Sequence, residues 1–196
     1  MNHLIWKILS KRVLVACEYS GRVRDAFITN GCDAMSCDLL PTDQLGPHYQ
    51  GDVKDILNDG WDLMVAHPPC TYLAVSGARW WKDRQQEQQE ALEFVQLLMD
   101  ADIPSIAIEN PVSCISTRIR KPDQIIQPWM FGHGETKKTC LWLKGLPLLN
   151  PTNVVTGRKD TIHRMPPGKD RWKARSLTYQ GIADAMGEQW STYPLS

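Results

Sequence analysis

Three short runs of apolar residues constrain the fold most: Arg12–Cys17 (RVLVAC), Trp61–Ala66 (WDLMVA) and Ile103–Ile108 (IPSIAI). Strands exposed on one face alternate polar and apolar, whereas runs this short and this uniformly apolar suit strands covered on both faces. The first is followed by Ser20-Gly21 and an amphipathic stretch, Arg22–Thr29, that Asn30-Gly31 closes, so it reads as strand, turn and helix. Asp33–Cys37 reads as a second strand and Leu40–Gly51 as a polar loop with two prolines. Asp83–Asp102 carries Ala91, Leu92, Phe94, Val95, Leu97, Leu98 and Met99 behind a Gln/Glu-rich first half, predicting one long helix with Asp83 near its N-cap. Strands alternating with helices predict an open α/β sheet with ligands at the carboxyl ends of its strands.

Beyond Pro111 the pattern changes. Gln124–Phe131 and Thr139–Leu143, separated by Gly132-His133-Gly134, predict an antiparallel hairpin appended to the sheet. Leu146–Arg175 has four prolines and no periodicity, which predicts a loop, and Leu177–Trp190 places Ile182, Met186 and Trp190 at helical spacing. With 42% hydrophobic and 22% charged residues, residues 1–196 suit a single globular domain and exclude a disordered chain. No apolar run approaches the roughly 18 residues of a membrane span. Met1–Ser10 has only a short apolar patch without a small-residue cleavage site, so a cytoplasmic protein is expected.

The six cysteines form no C-x-x-C pair. The closest two, Cys32 and Cys37, lack the second Cys/His pair of a zinc site, so no metal is expected and free thiols are. The formal net charge of zero conceals an asymmetry: Arg118–Arg175 is strongly basic and the remainder correspondingly acidic. A basic third suits a polyanion such as nucleic acid held on one side, although a solvated basic face would look the same.

The chemistry concentrates at two strand ends, His67-Pro68-Pro69-Cys70 and Glu109-Asn110-Pro111. Consecutive prolines fix the backbone as it leaves a strand, so the thiol that follows is held at the rim of the sheet. A carboxyl at the end of a later strand that can reach the same ring makes a nucleophile-and-acid pair. His67 reads as a local hydrogen-bonding residue. The tryptophans suit core or lid positions, with Trp80-Trp81 just beyond the thiol the pair most suited to stacking on a base.

This order of motifs resembles the cytosine-C5 DNA methyltransferases, whose Pro-Pro-Cys supplies the nucleophile and whose Glu-Asn-Val supplies the acid. The resemblance covers most of Arg12–Trp190 and implies a Rossmann-like S-adenosylmethionine-dependent methyltransferase sheet. It assigns Cys70, Glu109 and Asn110 to catalysis. Cys17, Glu18, Ser20, Gly21, Asp38, Asp52 and Pro68 fall at cofactor positions, and Pro69, Thr71, Lys137 and Lys138 at positions facing substrate or nucleic acid. Ser176–Glu188 resembles the family's returning segment, which closes over the cofactor. Asp38 and Asp52 could equally cap local structure, as acids in loops after strands commonly do.

The chain departs from the family in several places. Only Gly21 remains of a glycine-richer first turn, Thr71 stands for glutamine, Pro111 for valine, and Lys137-Lys138 for paired arginines. Only Gly145–Arg175 separates the hairpin from the C-terminal helix, too little for a separate target-recognition domain. The resemblance implies transfer of a methyl group to cytosine C5 in DNA through a Cys70 adduct, with the basic segment or a protein partner supplying specificity. Three alternatives stay open: the same chemistry on a free nucleotide or short single strand, a non-catalytic nucleic-acid- or protein-binding module, and an exocyclic-amino methyltransferase.

Overall fold

The computed structural model describes residues 10–166, 168 and 171–194. Residues 1–9 of the leading apolar patch and, within the basic segment, Pro167, Lys169 and Asp170 lie outside them. Seven strands form one sheet: β1 (Arg12–Ala16), β2 (Asp33–Asp38), β3 (His48–Gln50), β4 (Leu63–Ala66), β5 (Ser105–Pro111), β6 (Gln124–Ile126) and β7 (Thr139–Lys144). Their order is β3-β2-β1-β4-β5-β7-β6. The first five are parallel to their neighbours, and β7 runs antiparallel to both β5 and β6. This is the Rossmann-like sheet with an appended antiparallel hairpin that the sequence predicts.

Side-chain alternation along the strands builds two cores. Leu14, Ala16, Met64, Ala66, Ile106 and Ile108 point to one face, covered by Leu92, Val95 and Leu98 of the helix α2 (Gln85–Met99). Val13, Val15, Leu63, Val65 and Ala107 point to the other, covered by α1 (Arg22–Thr29) and the C-terminal helix. That helix runs Gln180–Ser191, and its Ile182, Met186 and Trp190 are buried. A side chain at Gly187 would place its Cβ 2.7 Å from the carbonyl of Ala26, so the bare position is what lets the C-terminal helix lie against α1.

Several boundaries differ from the sequence reading. The 40–51 loop contains β3, a three-residue edge strand too short to show a pattern, whose register pairs Ser36 with His48. The predicted helix over Asp83–Asp102 starts at Gln85, because Val75–Asp83 winds as a 3-10 helix that ends on Asp83. Trp61 precedes β4 rather than joining it, and its indole donates to the Ile56 carbonyl at 2.7 Å. β5 starts at Ser105 and continues through Glu109, Asn110 and Pro111 instead of stopping before them. The proline is tolerated at the last position, opposite Thr139 of β7, where β4 has already ended beside Ile108.

The hairpin's first strand is only Gln124–Ile126; a 3-10 turn, Pro128–Met130, takes over where the longer strand was expected. The 146–175 stretch is not loop throughout. Following the short helix α3 (Ile115–Arg118), it contains α4 (Thr161–Arg164) and the first part of α5 (Arg171–Ser176); the C-terminal helix, α6, starts at Gln180 rather than Leu177. No helix among the described residues is long and apolar enough to cross a membrane.

Candidate active site at the carboxyl edge of the sheet

β1 sends its chain to β2 on one side and has β4 on the other, so the crevice at the carboxyl ends of β1 and β4 is the point where strand order reverses. Open α/β sheets bind ligands there. Backbone hydrogen bonds frame it: Glu18 N–H donates to the Cys37 carbonyl at 3.0 Å and His67 N–H to the Ala16 carbonyl at 2.9 Å. The residues after β1 are tightly built. Gly21 has φ 75° at the N-cap of α1, and Ser20 donates to Glu18 at 2.9 Å. The buried Glu18 carboxylate accepts from Val23 N–H at 2.8 Å and Arg24 N–H at 3.3 Å. Glu18 thus satisfies two N–H groups of the first turn of α1 that have no partner within the helix, the role a capping side chain normally fills.

Arg24, which the sequence reading passed over, is fully buried and organises the neighbouring loop. Its guanidinium donates to Ser36 Oγ at 3.1 Å, Thr42 Oγ1 at 3.3 Å and the carbonyls of Gln44 and Leu45. That loop leads from Asp38. Asp38 is half-buried at the end of β2 and accepts from Leu40 N–H at 2.9 Å. Burial raises its carboxyl above the ordinary value, against the opposing Leu40 hydrogen bond and the charges of His48 and His67. Asp52 is exposed and caps the 3-10 helix Val53–Asp55 through Lys54 N–H at 3.0 Å. Cys17 takes a left-handed φ of 58°. Burial, then the charges of Asp38, Cys37 and Asp52, push its thiol far up, which places all four side chains in one electrostatic neighbourhood.

The second strand end carries the reactive groups. Pro68 is buried, Pro69 and Thr71 are exposed, and Cys70 is the one exposed cysteine of the six. Asn110, 1% exposed, donates from Nδ2 to the Pro68 carbonyl at 2.9 Å and so ties the Pro-Pro turn to β5. Glu109 meets His67 across 42 residues, Oε2 to Nδ1 at 2.8 Å, with both side chains nearly buried. His67 therefore makes a long-range ion pair rather than the local hydrogen bond expected of it. Burial opposes the imidazolium, but the Glu109 hydrogen bond and charge outweigh it and raise His67. Burial likewise opposes the carboxylate, and His67 and Lys137 outweigh it, holding Glu109 below its ordinary value.

Cys70 senses the same groups. Although the residue is exposed, partial desolvation by the protein around it raises its thiol, the Glu109 charge raises it further, and Lys137 and Arg175 oppose both. Lys137 points inward: its ammonium donates to the carbonyls of Arg175 at 2.9 Å and Leu177 at 3.3 Å. Lys138, in contrast, is exposed. The returning segment is also tied to the first turn, by Tyr19 to Ser176 Oγ at 3.0 Å and by Arg22 to the Thr178 carbonyl at 2.8 Å. Many cations of the basic segment are engaged within the fold. Arg120 pairs with Asp123, Arg164 with Asp160 and Lys173 with Asp43, while Arg158 lies 4.0 Å over the Trp129 ring.

The structure thus brings His67, Cys70, Glu109, Asn110 and Lys137 together, with Cys17, Glu18, Ser20, Gly21 and Asp38 across the crevice. Two buried atoms there, His67 Nε2 and Asn110 Oδ1, have no hydrogen-bond partner among the described residues. The fold is a Rossmann-like α/β sheet, parallel from β3 to β5, with an antiparallel hairpin at one edge. No family model matches the chain and no curated protein does. Among solved structures it is similar to a triple-alanine mutant of DNMT2 from Spodoptera frugiperda, with 14% identity over 76% of this chain and a TM-score of 0.48. The similarity spans 57% of that chain's length.

Proposed function

We propose that the chain is an S-adenosylmethionine-dependent methyltransferase acting on C5 of cytosine in DNA through a covalent adduct with Cys70. The observation that carries this reading is the convergence of an exposed thiol, on a Pro-Pro turn clamped by Asn110, with the His67–Glu109 pair at the same sheet edge. Cytosine C5 is a weak nucleophile. Addition of the Cys70 thiolate at C6 forms the S–C6 bond and moves the C5–C6 π electrons into the ring, raising the electron density at C5 and N3. Glu109, hydrogen-bonded at N3, stabilises that charge, and the proton shared with His67 is available to it. After C5 gains its methyl group, a base removes the C5 proton and the electron pair expels the Cys70 thiolate.

The residues across the crevice fit the cofactor. Asp38 ends β2, where doubly wound sheets place an acid on a ribose hydroxyl. The unpartnered His67 Nε2 is a buried polar atom of the kind a bound ligand satisfies. S-adenosylmethionine, when bound, supplies the methyl group. Glu18 serves it indirectly by holding the turn after β1, Tyr19 and Arg22 hold the returning segment over that turn, and Asp52 shapes the loop.

DNA carrying 5-fluorocytosine tests the reading, because fluorine cannot leave as a proton and the methylated adduct persists. With the cofactor, the wild-type chain is expected to form a denaturation-resistant protein–DNA adduct that Cys70→Ser abolishes and the other five cysteines do not affect. Methyl transfer continuing at the wild-type rate in Cys70→Ser would exclude the C5 mechanism and favour amino methylation. Faster transfer to a free cytosine nucleotide than to DNA would reassign the substrate, and adduct-free binding of cofactor or DNA would favour a non-catalytic module.

A further inference from the structure

Directly beyond Cys70 the chain builds a cavity of about 390 Å³ lined by Thr71, Tyr72, Gly77, Trp80, Trp81 and Arg84, with Asp83 at its side. The base of this element is firmly attached. Leu73 is fully buried, Cys114 N–H donates to its carbonyl at 2.9 Å, and Val75 N–H donates to Val112 at 3.1 Å. From the other side the buried Gln88 of α2 donates to the Tyr72 carbonyl at 3.0 Å. Trp80, in contrast, is 58% exposed.

Cations accompany the rings. Arg79 lies 5.0 Å from the Trp80 ring centroid and Arg84 6.0 Å from that of Tyr72, and Lys82 lies between them in the chain. Trp81 Nε1 is a buried donor with no partner among the described residues. Flat apolar rings interleaved with guanidinium groups, on a rigid base, match a stacked base flanked by phosphate, since base–aromatic stacking carries the affinity and cations track the backbone.

We infer that this cavity takes an unpaired nucleobase of single-stranded DNA, stacked on Trp80, next to the nucleotide presented to Cys70. The inference rests on the function proposed above and deepens it, by making the substrate a single strand or a duplex already opened at the reactive nucleotide. Its placement follows from chain connectivity: Thr71, the residue after the nucleophile, is itself part of the cavity wall. A base held there fixes the strand beside the thiol without a separate domain, and Arg79 and Arg84 meet its phosphates.

The test is fluorescence anisotropy of a labelled 12-nucleotide single strand containing one cytosine, compared with the same strand annealed to its complement, on the full chain. Wild type is expected to prefer the single strand. Trp80→Ala is expected to weaken single-strand binding by about tenfold or more, as loss of one stacked base does, with Trp80→Tyr retaining most of it. Arg79→Gln is expected to flatten the salt dependence by about one counterion's worth. Equal single-strand affinity in wild type and Trp80→Ala, or tighter duplex binding by wild type, would overturn the inference. If circular dichroism shows Trp80→Ala misfolded, the comparison of Trp80→Tyr with Arg79→Gln decides: unchanged affinity and salt slope in Arg79→Gln overturn it. Binding is read without catalysis, so a wild type that prefers and stacks the single strand but forms no fluorocytosine adduct rejects the C5 mechanism and keeps the binding site.

Discussion

His67 Nδ1 lies 2.8 Å from Glu109 Oε2, joining the first residue past β4 to a residue near the end of β5. The contact makes the two groups titrate as one unit, so the acid of the proposed reaction is the pair and not Glu109 alone. Each partner also compensates the other's burial. Because His67 is raised, its contribution to stability is full below the ordinary histidine value of 6.5 and is lost as pH rises through the raised value. Because Glu109 is lowered, its contribution is full above the ordinary glutamate value of 4.5 and is lost as pH falls through the lowered value.

The pair therefore stabilises most between those ordinary values, and His67→Ala is expected to cost about 3–5 kcal/mol there by leaving a buried carboxylate unpaired. Urea unfolding from pH 4 to pH 9 reads it. A difference between wild type and variant that stays constant across that range would show a packing role only.

Asn110 acts on the nucleophile through the backbone. Its Nδ2 donates to the Pro68 carbonyl from a fully enclosed position, holding the Pro-Pro turn to β5 one residue beyond the His67–Glu109 pair. Asn110→Ala is expected to destabilise the fold by about 1–2 kcal/mol, the cost of one buried hydrogen bond left unmade. It should also slow fluorocytosine adduct formation by about tenfold or more while leaving DNA affinity within about threefold, since the thiol loses its fixed place and the binding surface does not. Equal losses in affinity and adduct rate would instead mean that the site had collapsed.

Two cations favour the Cys70 thiolate against burial and Glu109, Lys137 more strongly than Arg175. Lys137→Met is expected to raise the Cys70 thiol further and to slow its alkylation by iodoacetamide at pH 8 by about threefold to tenfold. The measurement needs neither cofactor nor DNA. An alkylation rate equal to that of wild type would leave Lys137 only its structural role, anchoring Arg175 and Leu177.

What the sequence made legible follows from how local each signal is. The buried strands and the helices α1 and α2 announce themselves because their apolar periodicity is set by the sheet and helix repeats alone. Cys70 and its rim position were readable because two prolines next to it dictate the backbone. The His67–Glu109 pair was not, since its members are 42 residues apart and each alone resembles an ordinary polar strand end. Arg24 was hidden for the opposite reason: in an amphipathic helix an arginine reads as surface, and only the fold of the 39–47 loop over it reveals the buried guanidinium. The short helices α4 and α5 lack the length for a periodic signal, and the 3-10 winding at Val75–Asp83 lacks the 3.6-residue repeat.

Asp38 and Asp52 separate two meanings of the same sequence signal, an acid soon after a strand. Asp52 is exposed and its carboxylate serves Lys54 N–H, so Asp52→Ala is expected to cost about 1 kcal/mol as a lost cap and to change cofactor affinity by less than about threefold. Asp38 is half-buried and raised, chiefly by burial. A raised carboxyl binds its proton more tightly folded than unfolded, so ionising it opposes folding, and stability falls as pH rises from the ordinary aspartate value of 3.8 through the raised one. Asp38→Asn keeps an oxygen for Leu40 N–H and removes that charge, so the ligand-free chain is expected to melt slightly higher than wild type at pH 7, with the gain vanishing below pH 3.8. Calorimetric titration with S-adenosylhomocysteine should show the opposite direction for binding, a loss of about tenfold or more, because an amide replaces the carboxylate offered to the ribose. A variant that is stabilised at pH 7 yet binds as tightly as wild type would remove Asp38 from the cofactor site and leave it a strand-end carboxylate that merely costs stability.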